Sequence, residues 1–337
     1  MRLRRSDHRQ AGIRRRRAGR GFVYVDDSGV RVTDAEILER IGALAIPPAW
    51  ENVWVCPWVN GHIQAVGTDA RGRRQYRYHD EWRVQQDREK FEHMLDVARV
   101  MPAVRAACTA DLALEGMPKA RVLGCAGRLL DLGFFRIGGE EYAEENGTFG
   151  LATMLKRHAR IDGTEIVFDY PGKTGRRRIQ SVADPDVLTV VDQLKRRRGG
   201  GPELLAYKEG GRWIDVRSSD VNCYLQEVAG IPISAKDFRT WNATILAAVG
   251  FALAPPARSE RTARRVAAQV MRDVSEHLGN TPAVCRSSYV DPRVVDMYVA
   301  GETIGGVSSR RGEPDRASIE AAVLDLLAGD AAEAVAA

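Results

Sequence analysis

The sequence predicts an α+β protein in two parts, a small β-rich N-terminal domain followed by a larger, mainly α-helical one. Three observations lead there. Residues 51–79, ENVWVCPWVNGHIQAVGTDARGRRQYRYH, form short apolar runs separated by Asn-Gly and Asp/Gly turn signals. From about residue 97 onward, apolar residues recur mostly at helical spacing. One stretch breaks that pattern: in GTEIVFDYPGKTGRRRIQSV (163–182), two strand-like runs flank PGKTG, which reads as a hairpin with a basic tip.

Each element follows from local chemistry. Residues 1–20, MRLRRSDHRQAGIRRRRAGR, hold nine arginines and one aspartate. So little apolar surface cannot offset ordering entropy, so a disordered arm is expected, able to fold onto DNA phosphates or to be only a tail. FVYVDDSG (22–29) alternates as a strand into a turn. VTDAEILERIGALAI (32–46) puts Ile37, Leu38, Ile41 and Leu44 on one side of a helix capped by Thr33 and stopped by Pro47 and Pro48. The β-rich domain is placed at 21–95, ending in a polar helical stretch, the helical domain at 96–325, and a frayed tail at 326–337. Within the helical domain, TFGLATMLKRH (148–158) aligns Leu151, Met154, Leu155 and His158 on one side. Ser234 and Asp237 form a capping box ahead of the Phe238, Trp241, Ile245 stripe. SERTARRVAAQVMRDVSEHLG carries Val266, Val270 and Val274 and stops at Gly279.

Composition narrows the function. A chain of 337 residues, 44% hydrophobic and 28% charged, can bury more than one core. Its longest apolar runs fall short of the roughly 20 residues that span a bilayer, and residues 1–20 lack a signal peptide's apolar stretch. A cytoplasmic, nucleoid-associated protein with no membrane partner is expected. Cys56, Cys108, Cys125, Cys223 and Cys285 are far apart without CxxC, which argues against a disulfide framework or structural zinc. Scattered histidines and carboxylates argue against a two-metal nuclease. The net charge of +5 originates in residues 1–20, since the other 317 residues carry 41 basic and 44 acidic groups. Local basic runs at 71–90 and 173–198 suit docking on a polyanion, with solvated charge as the competing reading.

A few residues offer chemistry. Tyr289, in NTPAVCRSSYVDP, either packs near a helix end or reacts. Arg136, in DLGFFRIGGEEY, either caps a helix C-terminus or points into a pocket. Lys173 sits in PGKTG, which is no phosphate loop because Val167 stands where its first glycine belongs. It is either a solubilising turn residue or a reaching cation. Arg239 lies beside aromatics that either fix it as a phosphate clamp or are merely covered by it. As a set these residues could run a transesterification. A phenol of pKa near 10 is a weak nucleophile. Two guanidiniums would neutralise charge on an attacked phosphodiester and favour phenolate. A lysine could protonate the leaving hydroxyl, and the Asn280 amide could donate to a phosphoryl oxygen. The scheme requires no metal or other cofactor.

The residues that carry a family resemblance are RVTDAEILERIGALAIPPAWENVWVCPWVNGHIQAVGTDARGRRQYRYHDEWR, LGFFRIGGEEYAEENGTFGLATMLKRH, YPGKTG, KDFRTWNAT and LGNTPAVCRSSYVDP. In this order, over about residues 21–325, the sequence resembles the type IB DNA topoisomerases, in particular the small bacterial, poxvirus-like branch. The resemblance implies a monomeric, two-domain clamp on double-stranded DNA, with the catalytic fold shared by tyrosine recombinases. It implies relaxation of supercoils without ATP or metal. Tyr289 takes the place of the nucleophile that forms a 3′-phosphotyrosyl link, and Arg136 and Arg239 take those of the transition-state arginines. Lys173 corresponds to the general acid on the 5′-oxygen. Asn280 stands where poxvirus and nuclear enzymes have histidine, so it would hydrogen-bond phosphate without titrating. DNA contacts are implied at Arg74, Gln75, Tyr76, Tyr78 and Tyr142, with Gln75 reaching a base edge. The rivals are a tyrosine recombinase, disfavoured by Lys236 where HxxR would put histidine, and a non-catalytic DNA clamp.

Overall fold

Period-2 alternation builds the first unit. The computed structural model describes residues 1–305 and 315–336; the side chains of Tyr142, Thr174 and 330–336 lie outside the description. The chain divides into two units, Met1–Phe91 and Glu92–Ala337. The first holds an antiparallel sheet of β1 (Ile13–Ala18), β2 (Gly21–Val25), β3 (Glu51–Val55), β4 (Ile63–Thr68) and β5 (Arg74–Tyr78), in the order β2-β1-β3-β4-β5. Ile13 pairs with Val55, Val55 with Ala65 and Ala65 with Arg77, so these share one face. That face packs on α1 (Ala35–Ala43) through Ile37, Ile41 and Leu44. Asp34 caps the helix in place of Thr33, its carboxylate accepting from the Glu36 and Ile37 amides at 2.9 and 3.1 Å.

Residues 1–20 are not a disordered arm. Their second half is β1, hydrogen-bonded between β2 and β3. Their first half crosses the sheet face opposite α1, where the Ser6 hydroxyl donates to the Ile63 carbonyl at 2.9 Å and the Trp54 indole donates to the Gln10 carbonyl at 3.2 Å. Arg15 donates to the Pro47 and Trp50 carbonyls at 3.1 and 2.5 Å and stacks on Phe22. The arm's own composition suggested disorder because the apolar surface that orders it, Trp54 above all, belongs to the sheet. Gly12 makes this closure possible: a Cβ there would lie 2.7 Å from Trp54 Cε2 and closer still to Nε1.

The first unit ends within α2 (Asp80–Leu112), short of residue 95. The second unit continues with α3 (Lys119–Gly133) and α4 (Glu140–Asn146). A three-stranded sheet follows, of β6 (Ala159–Asp162), β7 (Glu165–Pro171) and β8 (Arg177–Val182), then α5 (Pro185–Arg196), the hairpin β9 (Ala206–Glu209) and β10 (Arg212–Asp215), and α6 (Ser218–Ala229). α7 (Ala235–Leu253), α8 (Glu260–Leu278), α9 (Pro282–Ser288), α10 (Pro292–Ala300) and α11 (Arg316–Ala336) complete it. Residues 148–158 are not one helix. Leu151 and Ala152 donate their amides to the Arg136 and Ile137 carbonyls, and Met154 accepts from Leu204, so bonds to distant parts of the same chain replace the i→i−4 ladder outside a 3-10 turn at Lys156–His158. The tail from 326 is not frayed at its start either: α11 runs through it and Leu327 is fully buried. Residue 337 lies outside the described residues.

α7 is the spine of this unit. Its Ser234–Asp237 capping box forms, and Phe238, Trp241 and Ile245 are buried. Asn242 donates to the Asp131 carbonyl of α3 at 3.0 Å and accepts from Arg316 of α11 at 2.9 Å. The Asp131 carboxylate, almost fully buried, is held by Arg105 and Arg316, which also bind Glu320. Removing one partner of such a buried network costs about 3–5 kcal/mol, because it strands the other charges. Among the described residues, no helix is long and apolar enough to cross a membrane.

The ordered arm has a direct test. Gly12→Ala should overpack Trp54 and destabilise the first unit by about 1–3 kcal/mol, seen as a lower thermal midpoint and faster proteolysis within residues 1–20. An unchanged midpoint would mean the arm is unpacked in solution.

Candidate active site

The site is built on two helix C-termini. The last four carbonyls of an α-helix have no intrahelical partner and carry the negative end of its dipole. At the end of α8, Gly279 turns left-handed at φ +62°, and Asn280 donates its amide back to the Ser275 carbonyl at 3.0 Å. The following carbonyls receive guanidiniums in succession. Arg178 donates to Glu276 and His277 at 3.2 and 2.8 Å, Arg239 to Leu278 at 2.9 Å, and Arg136 to Gly279 at 3.3 Å. Arg136 also donates to Asn280 Oδ1.

α3 ends beside it. Phe134, its C-cap, is left-handed at φ +53°, a conformation costing a non-glycine residue about 1–2 kcal/mol. Its carbonyl accepts from Arg239, and the Gly133 carbonyl accepts from Gln180. Arg239 thus joins the ends of α3 and α8. Arg136 follows Phe134 by two residues, on a loop pinned by buried Phe135 against Phe168. Of the two open readings of Arg136, the structure supports the cap: its guanidinium donates to the Gly279 carbonyl at the end of α8, beside Asn280.

Tyr289 ends α9, which buried Cys285 anchors, and its carbonyl accepts from Thr244 of α7 at 3.3 Å. The Arg239 guanidinium carbon lies over its ring, 5.2 Å from the centroid. Burial pushes the Tyr289 phenol up, but the charge and hydrogen bond of Arg239, then the charges of Arg136 and Lys236, outweigh it and hold the phenol below its ordinary range. Arg239 is 3% exposed. Burial first, then Arg136, push it down to about 10, which leaves it charged at neutral pH. Two buried donors here have no partner among the described residues, Arg239 Nε and Asn280 Nδ2. Unsatisfied N–H groups on a cationic cluster suit an anionic oxygen acceptor.

The structure brings Arg136, Arg239, Asn280 and Tyr289 together. Lys173 is exposed at the β7–β8 tip, in a 3-10 turn at Lys173–Gly175. Sequence reasoning misses Arg178, which looks like one more member of a basic run. It is what docks the Lys173 hairpin on α8. In β8, Arg178, Gln180 and Val182 face inward while Ile179 is exposed, the reverse of the usual polarity, so alternation alone would have turned Arg178 outward.

In the first unit, Arg74, Tyr76 and Tyr78 share the exposed face of edge strand β5, with the two tyrosine rings stacked 5.9 Å apart. Gln75 points to the opposite face, half-buried, and donates to Asp69 at 2.9 Å; it is therefore separated from the other three. Tyr142 is in α4, but its side chain lies outside the described residues.

Comparison with known proteins gives the family. A family model described as the eukaryotic DNA topoisomerase I catalytic core matches residues 79–300, and one described as the bacterial DNA topoisomerase IB N-terminal domain matches 21–69. The chain belongs to the type IB DNA topoisomerase family. Within that family it is 30% identical to the DNA topoisomerase 1B of Acanthamoeba polyphaga mimivirus, over 86% of this chain and 88% of the relative. It is 23% identical to the DNA topoisomerase 1B of vaccinia virus (strain Copenhagen), over 69% and 71%.

The packing of Gly279 against Arg178 is measurable. A Cβ on Gly279 would lie 2.6 Å from Arg178 Cζ, whereas Gly230, the equally left-handed cap of α6, has nothing within 4 Å. Both Gly→Ala variants lose about 1–2 kcal/mol to backbone strain. Gly279→Ala should lose about 1.5–3 kcal/mol more, the value of a charge-assisted hydrogen bond, in urea unfolding. Equal losses would show that Arg178 does not hold the α8 end.

Proposed function

We propose that this chain is a type IB topoisomerase of the bacterial, poxvirus-like branch, relaxing positive and negative supercoils by cutting and resealing one strand of duplex DNA through Tyr289. The observation that carries the reading is the convergence of Arg136, Arg239, Asn280 and Tyr289 at the end of α8. The duplex-binding clamp that the resemblance implies is part of the same proposal.

In this mechanism the Tyr289 oxygen attacks the phosphorus, releasing the phenol proton to solvent, and the bond to the 5′-oxygen breaks. Arg239 favours the phenolate. Arg136, Arg239 and the Asn280 amide take the charge that grows on the non-bridging oxygens. Lys173 gives its proton to the departing 5′-oxygen. The product is a 3′-phosphotyrosyl ester and a free 5′-hydroxyl, with the number of ester bonds unchanged. The strand end swivels, and the 5′-hydroxyl attacks the ester to reseal it, so no ATP is consumed. Asn280 has no proton to exchange near neutral pH and contributes only its hydrogen bond.

The test uses duplex DNA labelled at the 5′ ends, mixed with protein and denatured. Label should remain on the wild-type protein and be absent, together with relaxation, from Tyr289→Phe. Relaxation surviving in Tyr289→Phe would remove the assignment. Lys173→Ala should slow cleavage about 10²–10⁴-fold. A 5′-bridging sulfur should restore the rate, because a thiolate leaves without being protonated. No restoration would remove the general-acid role.

A further inference from the structure

Residues 1–20 precede both matched family stretches, which begin at 21 and 79, yet they are built into the sheet. Their placement follows from the register. Arg14 pairs with Trp54, Trp54 with Val66 and Val66 with Tyr76, so these four share a face, and Arg16 follows Arg14 on it. It is the face that residues 6–10 cross, over Trp54. His8 makes the join: its Nε2 lies 3.1 Å from Arg74 Nη1, and its ring meets Tyr76 edge-on at 6.3 Å.

The side chains on this face are sorted by task. Arg4 stacks on Trp58 with its guanidinium 3.6 Å from the ring, and Arg15, on the other face, ties down the Pro47–Trp50 turn. Those two hold the fold. Arg5, Arg14 and Arg16 are exposed. Asp7, the one carboxylate of the segment, is engaged by Arg9. Outside residues 1–20 the chain has more acidic than basic groups, so the positive surplus is concentrated here.

We propose that the N-terminal segment extends the Arg74–Tyr76–Tyr78 strip into one continuous cationic and aromatic surface that grips the phosphate backbone of duplex DNA without reading its sequence. This rests on the reading that the protein acts on duplex DNA. Guanidiniums suit the task because they bind phosphate in a fork and never deprotonate near neutral pH. Mounting Arg14 and Arg16 on β1, and Arg5 next to Arg4, whose backbone bonds to Asn60 and His62, rather than on a loose tail, removes the ordering cost of binding. The backbone grip would hold the enzyme on the duplex between cleavage events.

The test is the salt dependence of non-covalent binding, measured on a short duplex with Tyr289→Phe protein. The variant Arg5→Gln/Arg14→Gln/Arg16→Gln should keep its melting temperature. Its slope of log K against log salt should become shallower by about 0.9 for each phosphate that the protein no longer neutralises. For two or three such phosphates, affinity should fall roughly 10- to 100-fold near 0.15 M salt. The triple Lys variant at the same positions should retain the slope. An unchanged slope in the Gln variant would overturn the proposal, as would an equal loss from Arg258→Gln/Arg261→Gln/Arg265→Gln, which removes the same charge from exposed positions at and near α8. The two readings fail separately. A normal Tyr289 adduct with an unmoved slope sinks only the surface, whereas a shallower slope with no wild-type adduct sinks only the catalytic assignment.

Discussion

Helix C-termini holding guanidiniums are the interaction on which the site depends. Three like charges do not gather in a partly buried place unless something negative gathers them. Here the partners are not carboxylates, which would neutralise the cluster, but backbone carbonyls at the ends of α3 and α8. Carbonyls carry only partial charge, so the arginines are positioned and satisfied while the cluster stays net positive. Its remaining electrostatic demand can be met by a phosphate, and until then it acts on the Tyr289 phenol.

This constraint explains features that look unrelated. Phe134 accepts a strained backbone because its carbonyl must face Arg239. Gly279 must lack a side chain because Arg178 occupies the space beside it. Asn280 uses its oxygen to hold Arg136 and keeps its amide for another acceptor. A histidine there would bring a second proton equilibrium into the cluster, and asparagine avoids it. α7 carries Arg239 between both helix ends, and the Asn242 bond to Asp131 fixes α7 against α3.

Much of this was legible in the sequence, and the gaps have physical causes. The β-rich then helical order, the PGKTG hairpin, the Ser234–Asp237 cap and the Gly279 stop all rest on local chemistry, which a single sequence displays. That Arg136, Arg239, Asn280 and Tyr289 belong together was legible because two arginines, an amide and a phenol make chemical sense as a set. What could not be seen was long-range. The order of residues 1–20 depends on Trp54, more than 30 residues away in the chain. The role of Arg178 depends on α8 lying beneath it, a fact absent from RRIQSV. Residues 148–158 have helical spacing, but their amides are claimed by a loop from another part of the fold.

The most direct measurement is the titration of Tyr289 itself, followed by NMR of protein labelled at the tyrosine ζ-carbon and assigned by its absence in Tyr289→Phe. The cluster should hold this phenol below the ordinary tyrosine value of about 10. Arg136→Gln, which removes one charge from the cluster, should raise it. A Tyr289 that titrates at or above 10 and does not respond to Arg136 would contradict the account, because the carbonyl-held guanidiniums would then exert no field where the chemistry is assigned.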